Sequence, residues 1–292
     1  MISMPPPEAN PALKLIDVPH CWKLGLSGKG IGIGHLDTGV DGQHPSLQGR
    51  IAQYRVFDDD GIRTNHMTIR DTGTHGTYTA SILCGRDGIG VAPEAQLYSG
   101  VVIEGGKSIV RVLAGLDWLL DQPIKVLSMS LGIPYYNPIF QKMLERFRAS
   151  GRLVILPVGN YGEGIVCSPA TDNHVLSVGA IDTKQTVPSF SGSGINKSWK
   201  HGFGPHVVAP GHGVIVAEPG GTVTRTSGTS MSSAYVAGIV ALLFEAYSDA
   251  TPDDIEDALI ESCEPLDNSP PHRCGYGMVN ARVAYESLMQ YE

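Results

Sequence analysis

Apolar residues along the chain fall into short blocks cut by glycine, proline and small polar residues, and the spacing within each block sets its conformation. Residues 31–36, 51–57, 96–103, 125–131, 153–158, 175–180 and 207–209 are mostly apolar runs of strand length. Between the first of them lie stretches of helical length: residues 14–24, residues 75–84, the amphipathic 109–120 with Trp118, and 138–149. Residues 214–217 and 222–225 flank Pro219-Gly220-Gly221 as a hairpin. Residues 231–247 carry Ala, Val, Ile, Leu and Phe on most faces, which predicts a buried helix of about five turns. The chain closes on a helix begun by Thr251-Pro252-Asp253-Asp254, with a cap, an N1 proline and acid in the first turn, and on a short terminal helix capped by Asn280.

Strands alternating with helices predict an α/β fold of three layers, a mostly parallel central sheet with helices on both faces. No repeat or linker divides residues 12–292, which read as one domain behind a flexible, proline-rich arm of residues 1–11. In such sheets sites form beyond the carboxyl ends of strands. Asp37, Gly132 and Asn160 each follow one.

With 292 residues, 42% of them hydrophobic, the chain can bury an ample core. A net charge of −8, with no basic run beyond a dipeptide, argues against nucleic acid or an anionic membrane as partner. No apolar run approaches the roughly 20 residues of a membrane span. The N-terminus lacks the basic head and apolar stretch of a signal peptide. Cys21, Cys84, Cys167, Cys263 and Cys274 are scattered, with no Cys-x-x-Cys, as in a reducing compartment. The expectation is therefore cytoplasmic, with secretion the alternative for a mature form cut from a longer precursor. A Cys263–Cys274 bridge stays open, and nothing in the pattern speaks to oligomeric state.

Ser230, in Gly228-Thr229-Ser230-Met231, sits where a flexible turn meets the positive end of the predicted buried helix. Alone it reads as a cap. Asp37, in Leu36-Asp37-Thr38-Gly39, reads alone as a strand end, although a buried carboxylate demands a partner. Asn160 lies in Val158-Gly159-Asn160-Tyr161-Gly162 and reads alone as a turn residue. His75 lies in Thr74-His75-Gly76-Thr77. Taken together, in the order Asp, His, Asn, Ser, these motifs resemble the subtilisin-like serine proteases across roughly residues 12–285. Gly90-Val91-Ala92-Pro93, Ser128-Met129-Ser130-Leu131-Gly132, Phe190-Ser191 and Ala209-Pro210-Gly211 follow in the family's order.

The resemblance implies a serine endopeptidase that cleaves proteins or peptide precursors through an acyl-enzyme. Ser230 would be the nucleophile, His75 the general base and acid, and Asp37 the orienting carboxylate. Asn160 and the Ser230 N–H would hold the oxyanion. An extended peptide would pair between Gly105, Gly106, Lys107, Ser108 on one side and Ser130, Leu131, Gly132 on the other. Ser130 to Gly132 together with Val158, Gly159 and Asn160 would wall the first side-chain pocket, and Ile109, Val112 and Leu131 an apolar second one. The other readings are a ligase or cyclase using the same acyl-enzyme, and a non-catalytic peptide-binding relative.

Departures from the family's pattern bear on calcium. Residues 84–89 form a short loop where many members carry a calcium-binding one, and Ser46 stands where a further acidic ligand is usual. No cofactor is expected to be required, beyond a weak calcium contact at Asp58, Asp59 and Asp60. Tyr78 and Ala234 replace a usual histidine and proline. His201, His206 and His212 match no ligand spacing, so no metal site is expected. His35, two residues before Asp37 on one strand face, reads as packing.

Overall fold

The computed structural model describes residues 10–64, 68–105 and 108–289. The helices are α1 (Pro11–Leu15), α2 (Val18–Lys23), α3 (His75–Cys84), α4 (Ser108–Leu120), α5 (Gln141–Ala149), α6 (Thr229–Ala246), α7 (Pro252–Glu261), α8 (Pro271–Cys274) and α9 (Ala281–Leu288). The strands are β1 (Gly32–Asp37), β2 (Ile51–Phe57), β3 (Arg63–Thr64), β4 (Gln96–Val101), β5 (Val126–Met129), β6 (Leu153–Pro157) and β7 (Val175–Ile181). They are followed by β8 (Gly194–Ile195), β9 (Phe203–Gly204), β10 (Val207–Pro210), β11 (Val214–Glu218) and β12 (Thr222–Thr226).

The central sheet has the order β10-β7-β6-β5-β1-β4-β2-β3. All neighbours pair in parallel except β3, which runs antiparallel along β2. The chain leaves β1 for β2 and β4 on one side and returns to β5 on the other, so the strand order reverses at β1. The carboxyl end of β1 is thus the crevice where α/β sheets bind ligands.

Side chains from the two faces of the sheet enter separate cores. Ile33, Leu97, Val126, Ile155 and Val178 pack with α3 and α6, whereas Leu36, Leu127, Met129 and Leu156 pack with α4 and α5. The two-residue period of β1 therefore turns His35 and Asp37 toward α3 and α6. The long apolar helix α6 is buried from Thr229 to Phe244, which is why its sequence is apolar all round. It is the helix among the described residues that is long and apolar enough for a bilayer, and 89% of it lies inside the fold.

Several elements differ from the expected ones. Residues 14–24 form two helices, because Asp17 takes a left-handed conformation (φ 53°) and Pro19 starts a new first turn. Of the expected arm, residues 1–9 lie outside the described residues. Asn10 is buried instead, capping α1 and donating to Gly88 O at 3.2 Å. Residues 138–140 form a 3₁₀ turn before α5. The short α8, β8 and β9 have too few residues to show a period. All five cysteines are free thiols, so Cys263 and Cys274 do not pair. Thr251 and Asn280 cap their helices as the sequence predicts, and Asp254 completes a capping box with Thr251.

Glu256 on α7 is only 1% exposed and ties that helix to its neighbours. It pairs with Lys200 Nζ at 2.8 Å and Arg148 Nη2 at 2.6 Å, and lies 3.6 Å from His201 Nε2. Burial alone would raise its pKa, but the neighbouring His201 ring and the two cations hold it down at about 2. A carboxyl lowered on folding stabilises above its unfolded value of 4.5 and loses that stabilisation as pH falls toward about 2. Glu256→Gln should therefore cost about 3 kcal/mol at neutral pH. In urea unfolding, the gap from wild type should narrow as the pH is taken down through that window.

Candidate active site

The site is built from the ends of β1, α3, β6 and α6. Asp37 ends β1 and is fully buried. Its Oδ1 accepts from Thr38 N at 2.7 Å, and its two oxygens face His75 Nδ1 at 2.7 and 3.0 Å. His75 opens α3, which docks tightly on the turn after β1. A side chain at Gly76 would put its Cβ 2.0 Å from Gly39 O, so only glycine permits this approach. Thr38 Oγ1 accepts from Gly76 N at 2.9 Å and donates to Asp71 Oδ1 at 2.7 Å, which locks the turn to the helix start.

The pair is electrostatically coupled. Burial would raise Asp37, but the His75 charge and hydrogen bond outweigh it and hold the carboxyl below its ordinary range. Asp37 in turn raises the His75 pKa above its usual 6.5, against the opposing effect of burial. The His75 side chain is 36% exposed, so its ring reaches the open side of the site while Nδ1 faces inward.

Ser230 lies in the first turn of α6, 8% exposed, where backbone N–H groups have no partner within the helix. α6 packs beside α3 on the same face of the sheet. Ser130 Oγ donates to Ser230 O at 3.4 Å, joining the helix start to the segment after β5. Asn160 follows β6, and its Oδ1 accepts from both Thr229 N (2.9 Å) and Thr229 Oγ1 (3.0 Å). The donor Nδ2 is thus the end of the amide left for the cavity that Asn160 lines. From the sequence Thr229, like Ser230, reads as a helix cap; in the structure Gly228 is the N-cap, and the role of Thr229 depends on Asn160, a partner far along the chain.

Two cavities adjoin this site. The first, about 220 Å³, is lined by Ser130, Leu131, Gly132, Gly159, Asn160 and Ser230, and also by Pro157, Tyr161, Cys167 and Thr229. Val158, expected in its wall, points the other way into the α4 and α5 core and is fully buried. The second, about 200 Å³, brings together Ile109, Val112 and Leu131 with Ile103, Ile133 and Phe140, and Ser108 lies at it. Gly105 is a bend at φ 70° and Ser108 already begins α4, while Gly106 and Lys107 lie outside the described residues. A larger cavity of about 410 Å³ lies at the far end of α6, around Tyr247 and Asp249, away from these groups.

His206 is buried, accepts from Ser177 N on Nδ1 at 3.2 Å, and is driven down to about 3 by burial. His201 packs edge-on against it at 4.5 Å, and His212 lies by Phe190. Tyr78 donates to Glu218 Oε2 at 2.9 Å. Asp41, in the loop after β1, is held by backbone amides. Its oxygens already accept from Gln43 N and Gly220 N at 2.9 Å each, and Ser46 is engaged with His44 Nδ1 at 2.8 Å. No group of three or more His, Cys, Asp or Glu side chains able to hold a metal occurs among the described residues.

Cys167 fills the base of the first cavity, wedged against two glycines. A Cβ on Gly159, at φ 92°, would lie 2.3 Å from Cys167 Sγ, and one on Gly132 2.7 Å from Cys167 Cβ. Gly159→Ala should destabilise the fold by about 2 kcal/mol through left-handed strain plus the clash. Adding Cys167→Ala should recover only the clash part, read as a partial return of the denaturant midpoint.

Residues 28–277 match the family model described as the subtilase family. The chain is 32% identical to an intracellular serine protease of Paenibacillus polymyxa over 90% of this chain and 82% of the relative. It is likewise 32% identical to the major intracellular serine protease of Bacillus subtilis (strain 168), over 81% of this chain and 75% of the relative. With subtilisin Savinase of Lederbergia lenta it shares 30% identity over 92% of this chain and 96% of that one. A parallel sheet with its switch point at Asp37, a family model over most of its length and relatives of this kind across it have one reading: the chain belongs to the subtilase family and is a serine-type endopeptidase.

Proposed function

We propose that the chain cleaves peptide bonds through an acyl-enzyme formed on Ser230. The observation that carries this reading is the buried Asp37 carboxylate held 2.7 Å from His75 Nδ1. With Nδ1–H fixed on Asp37, the other ring nitrogen of His75 is the basic one. It takes the Ser230 proton as Oγ attacks the scissile carbonyl, then returns it to the leaving amine. Asp37 stabilises the imidazolium formed in between. Asn160 Nδ2 and the Ser230 N–H supply donors where the carbonyl oxygen becomes an oxyanion. Water repeats the sequence to release the acyl group, so the reaction needs side chains and water only.

The two cavities support an extended peptide as substrate. They share Leu131 and Gly132 in their linings, so one strand of peptide running along that segment can present side chains to both. The first is lined by Cys167 together with polar groups, and the second is walled by aliphatic and aromatic carbon, favouring an apolar side chain. Two relatives named as intracellular serine proteases, together with five free thiols, support work in the cytoplasm.

Ser230→Ala should abolish hydrolysis of a peptide library and labelling by phenylmethylsulfonyl fluoride; label on wild type at another residue would overturn the reading. Asn160→Ala should lower kcat by roughly 10²–10³ with KM little changed. Asp37→Asn should lower kcat by roughly 10⁴. The base works only when neutral, and Asp37 raises the His75 pKa. The acid limb of kcat/KM should therefore lie above about pH 6.5, the ordinary histidine value, and a limb at or below it in the wild type would contradict the coupling.

A further inference from the structure

The core around Asp37 is not apolar. His35 on β1 is 1% exposed and has both ring nitrogens engaged. Nδ1 lies 3.0 Å from Ser99 Oγ, directly across the β1–β4 register, and Nε2 lies 2.9 Å from Thr79 Oγ1. Thr79 sits one turn after His75 on α3, facing the same way. Its hydroxyl is 3.1 Å from Asp37 Oδ2, 3.1 Å from Gly76 O and 3.3 Å from His75 O. One hydroxyl has one proton, and of these acceptors the buried carboxylate is the charged one, which forms the stronger bond.

That assignment fixes the rest of the chain. If Thr79 donates to Asp37, its remaining capacity toward His35 is as an acceptor, so Nε2 carries the proton of the neutral ring. His35 Nδ1 then accepts from Ser99 Oγ. The polar row runs Ser99 to His35 to Thr79 to Asp37, every proton directed toward the carboxylate. Burial keeps His35 neutral, against Asp37 and Asp71, which favour its charged form, while His75 disfavours it. The ring nitrogen also lies 3.9 Å from Asp37 Oδ2, too far for a direct bond, so Thr79 is the link.

We propose that His35 is a positioning residue of the active site: through Thr79 it holds a directed donor on Asp37 and so sets how strongly Asp37 attracts the proton of His75. This rests on the reading of Asp37 and His75 given above only where rates are concerned. The physical consequence has a definite sign. A donor on Oδ2 spreads the carboxylate charge; removing it leaves Asp37 more basic, strengthens its hold on the imidazolium and raises the His75 pKa. Asp37 and Asp71 are the acidic groups that act on His75, and none of the substitutions below replaces either of them.

The test is titration of His75 by NMR, followed at its ring Cε1–H, in wild type, His35→Val, Thr79→Val and His35→Gln. Thr79→Val keeps the shape and removes only the hydroxyl, so it decides the matter where His35→Val does not fold. Both valine variants should move the His75 titration upward by roughly half a pH unit. In kinetics they should lower kcat by about 10-fold with KM unchanged and carry the acid limb of kcat/KM with the titration. His35→Gln, whose amide N–H can reach Thr79, should restore the wild-type midpoint. An unmoved midpoint in a folded valine variant, or a glutamine variant that behaves like valine, overturns the proposal and leaves His35 a packing residue, whatever the loss in thermal stability. Absence of hydrolysis by the wild type would instead refute the proposed function, while the titration would still judge the His35 linkage on its own.

Discussion

A carboxylate with no access to solvent, at the carboxyl end of the strand where the sheet reverses its order, constrains everything near it. An isolated buried charge costs far more than one hydrogen bond returns, so Asp37 must be surrounded by donors or be neutral. The fold brings them from three directions: the Thr38 amide, the His75 ring and the Thr79 hydroxyl. The last two lie a turn apart on α3. Docking that helix against the turn after β1 therefore satisfies the carboxylate and orients the imidazole in a single packing event. Gly76 is the steric condition for that docking, and Asp71, which bonds Thr38 and both the amide and hydroxyl of Thr77, fastens it.

The other half of the site depends on rigidity of a different origin. α6 is held by burial on nearly every side, so the residue at its N-terminus cannot move without disturbing the core. Ser230 inherits that immobility, together with the free N–H groups and positive field of a helix start. Thr229, one residue earlier, spends two donors on Asn160 and so aligns the amide with the same helix end. In the proposed reaction, proton acceptor and oxyanion donors are thus mounted on separate stiff elements, and little reorganisation is needed as charge develops.

The same economy appears in the loop after β1. Asp41 spends its oxygens on backbone amides, one of them in the β11–β12 hairpin, and His44 Nε2 donates to Thr222 O at 2.8 Å in that hairpin. Protein hydrogen bonds thus tie the loop at residues 41–46 to the hairpin. On the far side, Glu256 holds α5, α7 and the segment at Lys200 together through charge.

The alternation of apolar runs with helical stretches determined the layers, because strands covered on both faces must be apolar and the helices that cover them must follow the 3.6-residue period. Four short motifs singled out Asp37, His75, Asn160 and Ser230 as site candidates, because together, in that order, they resemble the family's. Local order could not decide which distant groups meet. Val158 and Cys167 are both apolar-looking residues near Asn160, yet strand direction sends one into the core and loop geometry sends the other to the base of the first cavity. Thr229 looked like a neighbour of the serine and became the clamp on Asn160. His35 read as a packing residue from its place two before Asp37, because its partners Ser99 and Thr79 lie 64 and 44 residues away. Local sequence carries conformation and residue chemistry; partnership across the sheet is set by register and helix docking, which exist only once the chain has folded.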